Sequence, residues 1–138
     1  MGNKTFAIIK PDAIKNNNTG KIYNHIIESG FNILAAKLIT MSKHQAEQFY
    51  LIHKDRPFYN ELTNFMSSGS CMVLTLKKEN AVNDWRDTIG ATDPADAVEG
   101  SIRNLYGTDL GQNAVHGSDS DDNAKKEIAF FFTEYELI

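Results

Sequence analysis

Residues 5–9, Thr-Phe-Ala-Ile-Ile, form a short apolar run that is stopped by Lys10-Pro11. A run of that length and composition reads as a buried strand, and because proline cannot donate to a sheet ladder the strand should end near Lys10. A cation is thereby placed at a strand tip. Further along, Asn16-Asn17-Asn18-Thr19-Gly20 is a turn, and Ile22, Ile26 and Ile27 mark one face of a helix that Gly30 closes. A second strand follows over residues 31–39. Ser42 with Gln45 three positions later is a capping-box pattern, and Ala46, Phe49, Tyr50 and His53 recur behind it at helical spacing.

Another short helix is expected over Tyr59–Met66, then a third strand over residues 71–76, introduced by Gly69 and Ser70. Asn80 is placed to cap a helix in which Val82, Trp85 and Ile89 share a face, with Gly90 at its end. Residues 93–112 are irregular apart from a helical turn near 101–106, and long connections of this kind are often functional. Asn113-Ala114-Val115 fits a short fourth strand ending at His116, and residues 120–132 fit a last helix with acids in its first turn. The order suits an α+β fold: a four-stranded antiparallel sheet with helices on one face, of the split β-α-β ferredoxin-like kind. With no repeat, low-complexity tract or linker, residues 1–138 read as a single domain.

Composition narrows the function. The chain has 138 residues, of which 41% are apolar and 23% charged, ordinary values for a globular domain. The net charge of -4 and pI near 5.5 speak against a surface built to hold nucleic acid by phosphate neutralisation, so any anion site must be local. No apolar run is long enough to cross a bilayer, and no signal peptide is visible at the start. Phe6 stands where a myristoylation motif needs Ser or Thr. Cys71 is the only cysteine, which excludes an internal disulfide and suits a reducing cytoplasm.

Four histidines are candidates for chemistry. His25 and His44 fall on helices where a packed or solvated role suffices, whereas His116 lies between an apolar strand and the polar run Gly117-Ser118-Asp119-Ser120, with Glu127 on the next helix. An oriented imidazole at a strand end can act as a nucleophile, although a turn or capping histidine fits the same residues. There is no Gly-x-x-x-x-Gly-Lys-Ser/Thr and no Gly-x-Gly-x-x-Gly, so neither a P-loop nor a dinucleotide fingerprint is present. Asp119, Asp121 and Asp122 lack the glycine and distal glutamate of a calcium loop and read as a favourable first helical turn.

Four stretches carry a resemblance. They are Thr5-Phe6-Ala7-Ile8-Ile9-Lys10-Pro11-Asp12, then Tyr50 with Lys54-Asp55-Arg56-Pro57-Phe58-Tyr59, then Gly90-Ala91-Thr92-Asp93-Pro94-Ala95-Asp96, and Asn113-Ala114-Val115-His116-Gly117-Ser118-Asp119-Ser120. In this order they resemble nucleoside diphosphate kinases across essentially the whole chain. The resemblance implies a ping-pong transfer of the terminal phosphate from a nucleoside triphosphate to a diphosphate through phosphohistidine at His116. It implies that Ser118 and Glu127 orient the imidazole, with an N-terminal turn residue and an exposed helical acid as their plain alternative. Lys10, Arg86 and Arg103 correspond to cationic phosphate ligands, and Tyr50, His53 and Thr92 to further hydrogen-bonding groups. Phe58 corresponds to the aromatic that stacks on the base, with Leu62 and Leu110 as apolar neighbours; Lys10 and Asn113 correspond to ribose contacts. Arg56 fits a fold-supporting or a site role equally. Mg2+ is expected to arrive on the nucleotide phosphates, since no carboxylate cage is apparent. The family is typically a homotetramer or homohexamer, with no membrane or nucleic-acid partner expected. One departure is Ser68-Gly69-Ser70 where the family usually has Ser-Gly-Pro, which removes a residue that pre-sets the backbone. The other is the end of the chain at Ile138, where many relatives continue into a tail that contributes to subunit contacts.

Overall fold

The structure is a computed structural model and describes residues 2–137. Four strands, β1 (Lys4–Ile9), β2 (Asn32–Thr40), β3 (Ser70–Lys77) and β4 (Val115–Gly117), form one sheet in the order β2-β3-β1-β4 with every neighbouring pair antiparallel. Seven helices surround it: α1 (Pro11–Lys15), α2 (Thr19–Glu28), α3 (Lys43–Phe49), α4 (Tyr59–Met66), α5 (Ala81–Ile89), α6 (Ile102–Tyr106) and α7 (Asp121–Phe131). This is the expected ferredoxin-like strand arrangement, but the helices cover both faces of the sheet, not one. Alternation along β1 explains it. Phe6 and Ile8 join one buried cluster with Met41, Ala46, Met66 and Ile128, whereas Ala7 and Ile9 join another with Ile22, Ile26, Trp85 and Ile102. Both alternating faces of β1 are apolar, so both need cover. No helix among the described residues is long and apolar enough to cross a membrane.

Local details depart from expectation in physically readable ways. Pro11 ends the strand and also begins α1, because its fixed φ and missing N–H suit the first helical position. On α2, Ile22 and Ile26 are fully buried while Ile27 is 52% exposed, since it lies about 100° around the helix from Ile26. Asn80 does precede α5, but in a left-handed conformation, and its amide oxygen accepts from the Asn83 side chain instead of from the helix backbone. The capping box at α3 is complete: Gln45 N–H donates to Ser42 Oγ at 3.0 Å and Ser42 N–H to Gln45 Oε1 at 2.9 Å. The Ser68-Gly69-Ser70 turn keeps its order without proline. There Ser67 and Ser68 hydroxyls donate to the Thr63 and Phe65 carbonyls, and Ser70 pairs with Thr40 at the start of β3.

The fourth strand begins two residues later than expected. Ala114 has φ +73°, and the Val115 N–H donates to the Asn113 carbonyl at 2.9 Å, forming a three-residue γ-turn outside the ladder. His116 therefore stands inside β4, opposite Ile8 of β1, and not at a strand end. Beside it, the Trp85 indole N–H donates to the His116 carbonyl at 3.2 Å. Gly117 makes this approach feasible: a Cβ there would lie 2.8 Å from Trp85 Cδ1 and 3.1 Å from Ile89 Cδ1. Gly117→Ala should therefore destabilise the fold by about 1–3 kcal/mol through overpacking. Thermal unfolding checks this, and an unchanged midpoint would contradict the packing account.

Candidate active site

Strand β4 and helix α7 bring three polar side chains onto one point. The His116 Nε2 lies 2.8 Å from Glu127 Oε1, and the same oxygen accepts from Ser118 Oγ at 2.8 Å. Ser118 is fully buried, and the His116 side chain retains 18% exposure. A carboxylate only accepts hydrogen bonds, so in the neutral imidazole the Nε2 facing it carries the proton and Nδ1 keeps the free lone pair. Aromatic rings set the imidazole plane. Phe49, Phe6 and Tyr50 lie with ring centroids at 5.5, 6.0 and 6.1 Å from it, at steep interplanar angles. The ring faces a cleft of about 470 Å3 whose walls include Phe49, Tyr50, His53, Lys126 and Glu127.

Cations converge on the γ-turn itself. Lys10, at the end of β1 and 7% exposed, donates from Nζ to Asn113 Oδ1 at 2.8 Å, and Asn113 Nδ2 donates to the Thr92 carbonyl at 3.0 Å. Arg103 of α6 is also buried and donates to the carbonyls of Gly90 at 3.2 Å and Val115 at 2.9 Å. Its Nε, also buried, has no partner. Burial, reinforced by the Arg103 charge and opposed by Asp12, pulls Lys10 down to about 8. Arg103 in turn is lowered to about 10 by burial and by the neighbouring Arg86. Three like charges close enough to disfavour one another make a local electropositive site in an acidic chain, which suits a polyanion.

Comparison with known proteins agrees with this chemistry. The family model described as Nucleoside diphosphate kinase matches residues 3–137. Curated nucleoside diphosphate kinases of Persephonella marina and of a Wolbachia from Drosophila simulans are 50% and 56% identical to it over 135 residues, covering 98% of this chain and 96% and 97% of theirs. Among solved structures, the Aquifex aeolicus nucleoside diphosphate kinase superposes with a TM-score of 0.97 at 41% identity, covering 99% of both chains. A Halobacterium salinarum nucleoside diphosphate kinase in complex with CDP gives 0.94 at 34% identity, covering 100% of this chain and 92% of that one.

The chain belongs to the nucleoside diphosphate kinase family. It is a phosphotransferase acting between nucleotides, in a family that works through a phosphohistidine.

The residues matched to the nucleoside diphosphate kinase motifs fall into two tight groups and an outer ring. His116, Glu127, Tyr50 and His53 line the cleft, with Ser118 bonded to Glu127; Lys10, Asn113, Arg103 and Arg86 gather around the γ-turn, with Arg86 exposed on α5. Tyr50 is buried with its hydroxyl unpartnered, and burial pushes its ionisation far above the ordinary value. Phe58 is 48% exposed, with its ring 5.6 Å from that of His53; Leu62 lies one turn beyond Phe58 on α4 and packs against the core. Thr92 meets Asn113 only through its backbone carbonyl, while Leu110 and Arg56 are exposed. Phe58, Leu62, Arg86, Thr92 and Leu110 stand outside the walls of the His116 cleft. Phe49, which flanks the imidazole, was legible only as a helix-face aromatic. Asp12 and Gly117 lie within the quoted motifs, but the contact of Asp12 is with Ala114, 102 residues on, and those of Gly117 are with Trp85 and Ile89 on α5.

A lysine that titrates near 8 is charged below that pH and neutral above it. The kcat/KM of this enzyme should therefore fall as pH rises through about 8. The corresponding limb in kcat should lie higher, because bound phosphate favours the protonated amine. Coincident limbs in both profiles would contradict a phosphate-binding role for Lys10.

Proposed function

We propose that His116 Nδ1 is the phosphoryl acceptor in a ping-pong nucleoside diphosphate kinase reaction. The observation that carries this is the single Glu127 oxygen bonded to both His116 Nε2 and Ser118 Oγ. Glu127 fixes the proton on Nε2, and the Nδ1 lone pair attacks the terminal phosphorus of a nucleoside triphosphate. The bond from that phosphorus to the bridging oxygen breaks, and its electron pair leaves with the diphosphate. Glu127 then faces a positively charged phosphoimidazole, a charge it stabilises in place. A second diphosphate reverses the step by attacking the phosphorus through a terminal oxygen. Imidazole is nucleophilic at neutral pH without a strong base, so orientation is the main demand on the protein.

Lys10, Arg86 and Arg103 serve as ligands of the phosphate chain, and Arg103, held by two carbonyls, adds charge stabilisation without reorganising. Tyr50, His53 and Thr92 add hydrogen bonds, while Lys10 and Asn113 hold the ribose hydroxyls. Phe58 stacks on the base, flanked by Leu62 and Leu110. Mg2+ enters as part of the substrate. The donor set around the cations is amine, guanidinium and amide, and the nearby Asp12 carboxylate is turned onto the backbone, so the metal is carried by nucleotide phosphates. Self-association into a tetramer or hexamer fits the exposed Leu38 on edge strand β2 and the exposed Val98 and Leu105. The single cysteine supports a cytoplasmic location.

Incubation with terminally labelled ATP should load acid-labile, base-stable phosphate onto the wild-type chain and none onto His116→Ala. Transfer of that label to GDP, with parallel initial-rate lines, completes the test; intersecting lines would exclude a phosphoenzyme path. Phe58→Ala should weaken every nucleotide by about 1–3 kcal/mol, the worth of one stacked base. A loss confined to purines, measured by titration calorimetry across four bases, would contradict base-tolerant stacking.

A further inference from the structure

Asp12 is 4% exposed and occupies the first turn of α1, two residues beyond Lys10. Its Oδ2 accepts the Ala114 N–H at 3.1 Å, while its Oδ1 is buried without a hydrogen-bond partner. Ala114 is itself fully buried and is the central residue of the γ-turn, at φ +73°. That region is disfavoured for alanine, whose Cβ crowds the backbone, and is open to glycine. The Ala114 carbonyl accepts from the Lys10 N–H at 2.8 Å. Both backbone polar groups of the strained residue are thus held by residues 10 and 12. At the first position of the turn, Asn113 receives the Lys10 ammonium; two residues after Ala114 comes His116.

We propose that Asp12 is a positioning residue for phosphoryl transfer, holding Ala114 in its strained turn so that Asn113 and His116 keep fixed places relative to Lys10. The inference rests on His116 being the phosphoryl acceptor. Strain persists where surrounding structure over-determines it, and here a buried carboxylate does so at the boundary between the two groups of site residues. A hydrogen bond to the Ala114 N–H needs only a neutral acceptor. The additional feature of a carboxylate is charge: Asp12 opposes the effects of burial and of Arg103 on Lys10, whose Nζ otherwise meets only the Asn113 amide.

Single-turnover phosphorylation of His116 by Mg-ATP, measured on the full chain well below each variant's melting temperature, separates this role from simple support of the fold. Asp12→Ala should slow phosphoenzyme formation at least tenfold per folded molecule. Adding Ala114→Gly to Asp12→Ala should recover threefold or more, because glycine accepts the positive φ without being held there. Asp12→Asn keeps an acceptor, so it should stay within about threefold of wild type at pH 6.5 and fall further behind at pH 8.5, as Lys10 loses its counter-charge. A wild-type rate in Asp12→Ala, or no recovery in the double variant, overturns the proposal while leaving His116 as acceptor intact. Should Asp12→Ala not fold, Asp12→Asn decides: the same ratio to wild type at both pH values overturns it. A wild-type chain that never phosphorylates His116 overturns this inference and the active-site reading together.

Discussion

Strand β1 is the constraint on which the rest depends. It lies between β3 and β4, and residues 5–9 are at most 1% exposed. Because its alternate side chains enter two different cores, it cannot slip by one residue without exchanging the faces of both. That fixed register has two chemical consequences. It delivers Lys10 to a defined point at the strand tip, and through the Ile8–His116 pairing it fixes the backbone of His116. Packing energy spread over both cores thus sets where Lys10 and His116 stand relative to one another.

The cation cluster shows the opposite balance. Burial and neighbouring like charge disfavour the charged forms of Lys10 and Arg103, a cost the folded state carries when no anion is bound. Backbone carbonyls of Gly90 and Val115 and the Asn113 amide orient the cations without neutralising them. A phosphate chain bound there would supply the missing negative charge. Preorganised positive charge is what phosphoryl transfer requires, and its local concentration lets a chain of net charge -4 present a favourable site to a polyanion.

Much of this was legible before the fold was known. Helix α4 and the capping box at α3 followed from local rules, since their boundaries depend on a few neighbouring residues. The cover on both sheet faces was carried by the unbroken apolar run of β1, yet placing helices on one face only left half of that run unexplained. The late start of β4 was hidden because the residue in the left-handed region is Ala114, not a glycine or asparagine that would advertise it. Helix α1 was hidden for a different reason: a proline that ends a strand and one that begins a helix look the same in sequence. The grouping of Lys10, Arg86 and Arg103 came from family resemblance, because their approach depends on long-range topology.

The His116–Ser118–Glu127 arrangement also explains why the site needs rigidity more than a strong base. Ser118 holds Glu127, Glu127 holds Nε2, the Trp85 indole holds the His116 carbonyl, and Phe49 limits ring rotation from the side. Each contact removes a degree of freedom from a ring whose reactive nitrogen must point along the line of phosphoryl displacement. A misplacement of about 1 Å can cost of order a hundredfold in rate. Helices α3, α5 and α7 and strand β1 therefore converge on one residue of β4. Ser118 and Trp85, although they need not touch the phosphate, bear on the rate through the geometry of the group that does.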